Sequence, residues 1–219
     1  MHYRKIDLLF YSINAEELER AVLLPVYRER IKSYITFTDE EWNVLIDFLE
    51  IKNLNKNECF VTTGRICEDL GFILKGSVRY CNIIDGVEKT GYFTFENNFV
   101  TALKSYLTGE RSVYDIKTLE ETIFITISKK NMQVLLKHSL LSCKMERLGR
   151  LISERFNILF EDRIKSFIAK TPEERYLDLL TSGQDIVKRI PLQYIAQFIG
   201  ITPVSLSRIR KRIHQYQHK

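Results

Sequence analysis

The strongest constraint on the fold of this chain is a change of rhythm at Ser128. From about Glu58 to Ser128, short β-type runs (Phe72-Ile73-Leu74, Val78 to Ile84, Tyr92 to Phe95, Val113 to Leu119, Ile123 to Ile127) are punctuated by Gly64, Gly71, Gly76, Gly86, Gly91 and Gly109. Runs this short, separated by turn residues, read as an antiparallel roll or sandwich. Ile123, Ile125 and Ile127 alternate with Thr122, Phe124 and Thr126, which predicts one core face and one outer face. Asp85-Gly86 between two runs signals a hairpin turn. Past Ser128 the punctuation stops, and Leu140 to Ile168 carries Met145, Leu148, Leu151, Ile152, Phe156, Leu159, Ile164 and Phe167 at helical spacing. A helix of about eight turns with more than one apolar stripe is more than so small a domain covers. One side is expected on the sheet and another on a second copy of itself.

Local signals divide the rest of the chain. Residues 1–37 are helical in parts, as from Ala15 to Leu24, with Pro25 expected to interrupt the helix. Thr38-Asp39-Glu40-Glu41 is a capping box followed by Trp42, Leu45, Ile46 and Leu49, so a helix starts at residue 39. Thr171-Pro172-Glu173-Glu174 restarts a helix after the long one, with Thr171 as cap and Pro172 in its first position. The divisions expected are a helical segment over 1–37, a roll over 38–137, a dimerisation helix over 138–170 and a C-terminal domain over 171–219.

The segment Leu192 to Arg212 meets the demands of a helix-turn-helix. Two helices meeting at a steep angle need a small residue where they touch, a turn residue that accepts positive φ, and apolar locking positions. Ala196, Gly200, and Ile195, Ile199, Ile201, Leu206 and Ile209 supply these in turn. Thr202 and Pro203 fix the start of the second helix. With Leu206 and Ile209 turned inward, its outward face shows Val204, Ser205, Ser207, Arg208, Lys211 and Arg212. That face suits a major groove: Arg208 for a guanine edge, Val204 for a thymine methyl, Ser205 for either kind of contact, and Thr202, Lys211 and Arg212 for phosphates. The net charge is only +5, but from Lys188 onward there are seven Lys and Arg and no Asp or Glu. That one-sided stretch points to a polyanionic partner.

Several classes are disfavoured. An apolar share of 45% over 219 residues supports buried cores, and no run is long enough to span a bilayer. Residues 1–11 carry Asp7 within their apolar stretch and lack a cleavage site, so a cytoplasmic location is expected. Cys59, Cys67, Cys81 and Cys143 are widely spaced, without a nearby His, and read as reduced thiols; Cys67, between Gly64 and Gly71, falls where a turn would expose it. A cupin-type enzyme needs two or three His in the roll, whereas His2, His138, His214 and His218 all lie outside it. No catalysis and no metal are expected. The competing reading is a ligand-sensing or protein-interaction dimer whose helix-turn-helix does not read DNA.

Phe72 to Val78, Leu107 to Ser112, Pro172 to Leu177, Ile199 to Pro203 and Leu206 to Ile213 together resemble the Crp/Fnr superfamily, in particular its Bacteroidetes-type regulators, over roughly residues 30–213. The resemblance implies an α+β chain: a jelly-roll-like, cyclic-nucleotide-binding-type β-roll as sensor, a long dimerisation helix, and a C-terminal winged-helix-type helix-turn-helix domain. It implies a homodimer on a palindromic operator in double-stranded DNA, with RNA polymerase and a small-molecule effector as further partners. Arg111 and Ser112 match the pair that holds a cyclic phosphate, which suits an arginine fork. The ribose-binding Glu is missing: Thr101 takes its place, and the base-contacting positions of the long helix fall near Phe160 and Glu161. Each lost polar partner costs about 1–3 kcal/mol, so cyclic AMP is not expected as a cofactor. Pro203 and Val204 replace the family's Arg and Glu readers, and only Arg208 carries over. The sequence after the recognition helix is short, so any wing must precede it or be absent.

Overall fold

The computed structural model describes residues 15–182 and 184–217; its strands at 69–75, 77–84, 87–95, 115–118 and 122–128 fall on the Gly-punctuated runs, whereas those at 50–54, 59–61 and 99–100 fall outside them. The strands are β1 (Glu50–Leu54), β2 (Cys59–Val61), β3 (Asp69–Lys75), β4 (Ser77–Ile84), β5 (Val87–Phe95), β6 (Phe99–Val100), β7 (Asp115–Thr118) and β8 (Thr122–Ser128). All pairings are antiparallel, in two four-stranded sheets ordered β1-β8-β3-β6 and β2-β7-β4-β5. Asp85 and Gly86 take φ of +52° and +74° between Ile84 and Val87, which pair with each other. Positive φ at both positions is the two-residue turn whose twist matches the flanking strands.

Strand β8 corrects the expectation of one outer face. Thr122, Phe124 and Thr126 are buried as fully as Ile125 and Ile127. As a central strand between β1 and β3, β8 sends Phe124 toward the opposite sheet, 4.8 Å from the Phe60 ring, while its other face lies under helix α4 (Lys129–Leu135). The threonines tolerate burial because their hydroxyls donate to Glu120 O and Glu50 O, at 2.9 and 3.4 Å.

Helix α1 (Ala15–Ile31) runs straight through Pro25, contrary to the predicted break. Tertiary contacts outweigh the lost hydrogen bond. Leu24, Tyr27 and Ile31 are buried in the roll's core, and Arg20 donates to Ile46 O and Leu49 O at 2.7 and 2.8 Å. Pro25 itself lies on the solvent side. Helix α2 (Asp39–Leu45) starts at the Thr38 capping box, both bonds of which form. A short helix, α3 (Leu103–Thr108), contributes Tyr106 to the roll's core. Cys67 is buried rather than exposed, its amide held by Ser105 Oγ at 2.9 Å, whereas Cys143 is exposed.

The long helix α5 (Ser142–Ala169) has two characters. Met145, Leu148, Ile152 and Phe156 are buried against the roll. Beyond them Ile158, Phe160, Ile164 and Ile168 are exposed. The second apolar stripe therefore exists and lies uncovered in the single chain. Four helices follow: α6 (Pro172–Ser182), α7 (Gln184–Arg189), α8 (Leu192–Ile199) and α9 (Pro203–Gln217). Thr171 caps α6 in a reciprocal pair with Glu174. No strand follows Ser128 among the described residues. The expected wing is therefore absent from them: residues 184–189 and 192–199, where a preceding wing would fall, are helical.

Candidate nucleic-acid interface

Helices α8 and α9 meet in the geometry the spacing requires. Ile195, Ala196, Ile199, Leu206 and Ile209 are buried together, with Ile201 packed at their edge. Gly200 takes φ +79°, its amide reaching Gln197 O, and the Ile201 amide reaches Ala196 O at 2.9 Å. These are the two bonds that close a helix on a left-handed residue. Thr202 caps α9 by accepting from the Ser205 amide at 3.2 Å.

The predicted reading face is only partly as expected. Pro203, Val204, Ser207, Arg208 and Lys211 are exposed on one end and side of α9. Arg208 and Lys211 make no hydrogen bond or ion pair with the described residues. The Thr202 hydroxyl is committed to the cap, and Ser205, half-buried, lies 3.0 Å from it. Arg212 is not a free phosphate ligand here, because its guanidinium forks onto the Glu173 carboxylate of α6. Arg189 is likewise engaged, so the basic stretch contributes less open charge than its composition suggests.

Several residues that position this unit were not foreseen. Arg163 of α5 donates to Phe198 O, and Arg175 of α6 to Ile199 O at 3.0 Å, so two arginines satisfy carbonyls at the C-terminal end of α8. Arg163 is wedged against the Phe198 and Phe167 rings, 3.8 and 4.3 Å from their centroids. Burial, and then the nearby Arg175 charge, lower it to about 10, which leaves it charged at neutral pH. Meanwhile α8 docks on β5: Gln197 bridges the Thr90 amide and Glu88 O at 3.1 and 2.9 Å, and Phe198 packs 5.2 Å from Phe93. Arg79 stacks 4.1 Å over the Tyr194 ring. Arg189 forks onto Glu96 at 2.8 and 3.0 Å and also reaches Glu120. Burial alone would raise the Glu96 carboxyl, but hydrogen bonds from Arg189 and the Gly76 amide and the Arg189 charge hold it below the usual carboxylate range.

Each of the three effector candidates donates to a backbone carbonyl. Arg111 is exposed and donates to Gly64 O at 3.2 Å. Ser112 is buried and donates to Tyr114 O at 2.7 Å. Thr101 is buried and donates to Asp69 O at 3.0 Å beside Cys67 Sγ. A cavity of about 280 Å3 between β4, β5 and α5 is instead lined by Tyr80, Tyr92, Tyr114, Phe160 and Arg163, among others, and by none of these three. Burial pushes the Tyr114 phenol up to about 12 and raises those of Tyr80 and Tyr92. Phe160 lines this cavity, and Glu161 is exposed. One cluster, Cys81, Glu88 and Asp115, has metal-like spacing, but Lys117 and Arg79 already neutralise its carboxylates.

No described helix is long and apolar enough to cross a membrane. No family model matches the chain, and no curated protein sequence does. Solved structures do. The chain is similar to FixK2 from Bradyrhizobium japonicum, at 15% identity over 77% of this chain and 86% of that one, with a TM-score of 0.65. It is similar to the c-di-GMP-responsive global regulator CLP of Xanthomonas campestris, at 16% identity over 80% and 91%, with a TM-score of 0.64. It is also similar to a protein described as a transcriptional regulator of the crp/fnr family from Eubacterium rectale, at 18% identity over 82% and 85%, with a TM-score of 0.62. At these identities the likeness is one of fold, and the fold is that of Crp/Fnr-type regulators: a β-roll, a long helix and a helical C-terminal domain.

Proposed function

We propose that this chain is a sequence-specific DNA-binding transcriptional regulator that works as a homodimer. The observation that carries the reading is α9 itself: a capped helix, locked at a left-handed Gly200, that presents Val204, Arg208 and Lys211 to solvent without a hydrogen-bond or ion-pair partner among the described residues. A short apolar residue beside an arginine is a base-edge reader's face, and flanking cations hold phosphates. The exposed Phe160, Ile164 and Ile168 of α5 support pairing of two copies along that helix. Two α9 helices would then address half-sites one helical turn apart, about 34 Å.

The roll in this reading does not take cyclic AMP in the usual way. Ser112 and Thr101 spend their hydroxyls on backbone carbonyls, and aromatic side chains occupy the lining beneath α5. Any effector is of another chemistry, and RNA polymerase is the partner through which a bound dimer would act.

Salt dependence of binding tests the reading against a protein-interaction dimer. With a random-sequence duplex, affinity must fall linearly on a log-log plot as salt rises, with a slope of about −0.9 for each phosphate neutralised. Absence of duplex binding at low salt contradicts the proposal.

A further inference from the structure

We infer that the junction of the roll, α5 and the C-terminal helices is a binding site for a small aromatic carboxylate. A cavity of about 510 Å3 lies there, within the range of small-molecule sites. Three parts of the fold build its walls: Phe93 and Phe95 of β5, Phe156 and Leu159 of α5, and Leu179 and Phe198 of α6 and α8. Rings dominate. A planar arene in such a lining gains edge-to-face and offset contacts that a flexible aliphatic chain does not.

The lining holds one ionised side chain, Arg155. Its guanidinium is exposed, lies 5.6 Å from the Tyr34 ring centroid, and donates to Asn98 Oδ1 at 2.9 Å. It has no carboxylate partner among the described residues. A guanidinium carries five N–H donors in a fork that fits a carboxylate bidentately, so donors remain for an incoming oxyanion. Its charge lowers the phenols of Tyr34 and Tyr92, which burial raises more strongly, so its field reaches two walls of the cavity. The ligand's ring therefore sits among the phenylalanines, and its carboxylate sits at Arg155. This space is distinct from the cavity under Phe160 and Arg163, with which it shares Tyr92 alone.

Because Leu179 and Phe198 belong to the helices that carry the helix-turn-helix, occupancy couples to the placement of α9 and alters DNA affinity. That coupling rests on the DNA-binding reading; ligand binding itself does not.

Calorimetry on the full chain without DNA, with indole-3-acetate, 3-phenylpropionate and 2-naphthoate as probes, tests the site. The expected result is saturable binding of at least one acid at one per chain, with its primary amide weaker by about five- to tenfold. Arg155→Gln should erase that preference for the acid. Leu159→Trp, which fills the cavity, should abolish binding of both. No binding of any probe at millimolar concentration, equal binding of acid and amide, or an unchanged preference in Arg155→Gln overturns the site. Should Leu159→Trp fail to fold, the exposed Arg155→Gln variant still decides. A second titration, of duplex DNA with and without a saturating probe, should show a shifted DNA affinity, and an unchanged one would overturn the coupling alone.

Discussion

Substitution of Gly200 by Ala should unlock the helix-turn-helix more than any surface change. At φ +79° an alanine pays for a left-handed backbone, about 1–2 kcal/mol. Its Cβ would also sit 2.9 Å from Phe167 Cε1, where ordinary contact begins at 3.4 Å. Relief requires the Phe167 ring to swing away from Arg163 and Arg175, which it faces at 4.3 and 4.6 Å; each such stacking contributes about 0.5–1 kcal/mol. The total is about 2–4 kcal/mol. Native-state amide exchange over α8 and α9 reads this directly as protection lowered by about 30- to 1,000-fold. Gly149, mid-helix with nothing within 4 Å of an added Cβ, is the control: Gly149→Ala should stabilise by roughly 0.5–1 kcal/mol. The double variant Gly200→Ala/Phe167→Ala should remove the steric part and leave the backbone cost. A loss of protection below about threefold in Gly200→Ala would refute the geometry assigned to this turn.

Other consequences follow from the same structure. Arg208→Ala should cost about 1–3 kcal/mol in specific binding and relax preference at one base pair, whereas Lys211→Ala should weaken all sequences alike and reduce the salt slope by about one; binding isotherms across salt separate them. Ile164→Glu places a charge on the exposed α5 stripe and should convert a dimer to monomers in sedimentation, with the roll's melting unchanged. The Glu96–Arg189 pairing makes docking of α8 on β5 sensitive to acid. Because the Glu96 carboxyl is lowered in the folded chain, its contribution is complete above the ordinary value of 4.5 and is lost as pH falls through the lowered one. Amide exchange of α8 should therefore rise below about pH 4.5 ahead of β3, and Arg189→Ala should remove that step; simultaneous loss of α8 and β3 protection would contradict it.

Features set by neighbouring residues were legible in the sequence. The Thr38 and Thr171 caps, the Asp85-Gly86 turn and the Ala196–Gly200–Ile209 pattern each depend on spans of a few residues, where side-chain chemistry and backbone preference coincide. Features set by distant neighbours were not. Pro25 reads as a helix break until the packing of Tyr27 and Ile31 is known, and β8 reads as half-exposed until its other face is covered. The arginines that hold α8 reach across 35 and 24 residues, and the Arg189 fork across 93. The basic C-terminal stretch overstated its free charge, because Glu173, Glu96 and Glu120 lie outside that window in sequence and inside it in space. Arg111 and Ser112 matched a phosphate pair by order, yet backbone carbonyls take up donors of both side chains.

The central claim, a dimer that reads DNA through α9, is tested most directly by selecting from a random duplex library with the purified chain and sequencing what is retained. The account predicts enrichment of a two-fold symmetric site whose half-sites lie one helical turn apart, with the preference at one position of each half-site lost in Arg208→Ala. Retention without enrichment, or an enriched site lacking two-fold symmetry, would contradict it.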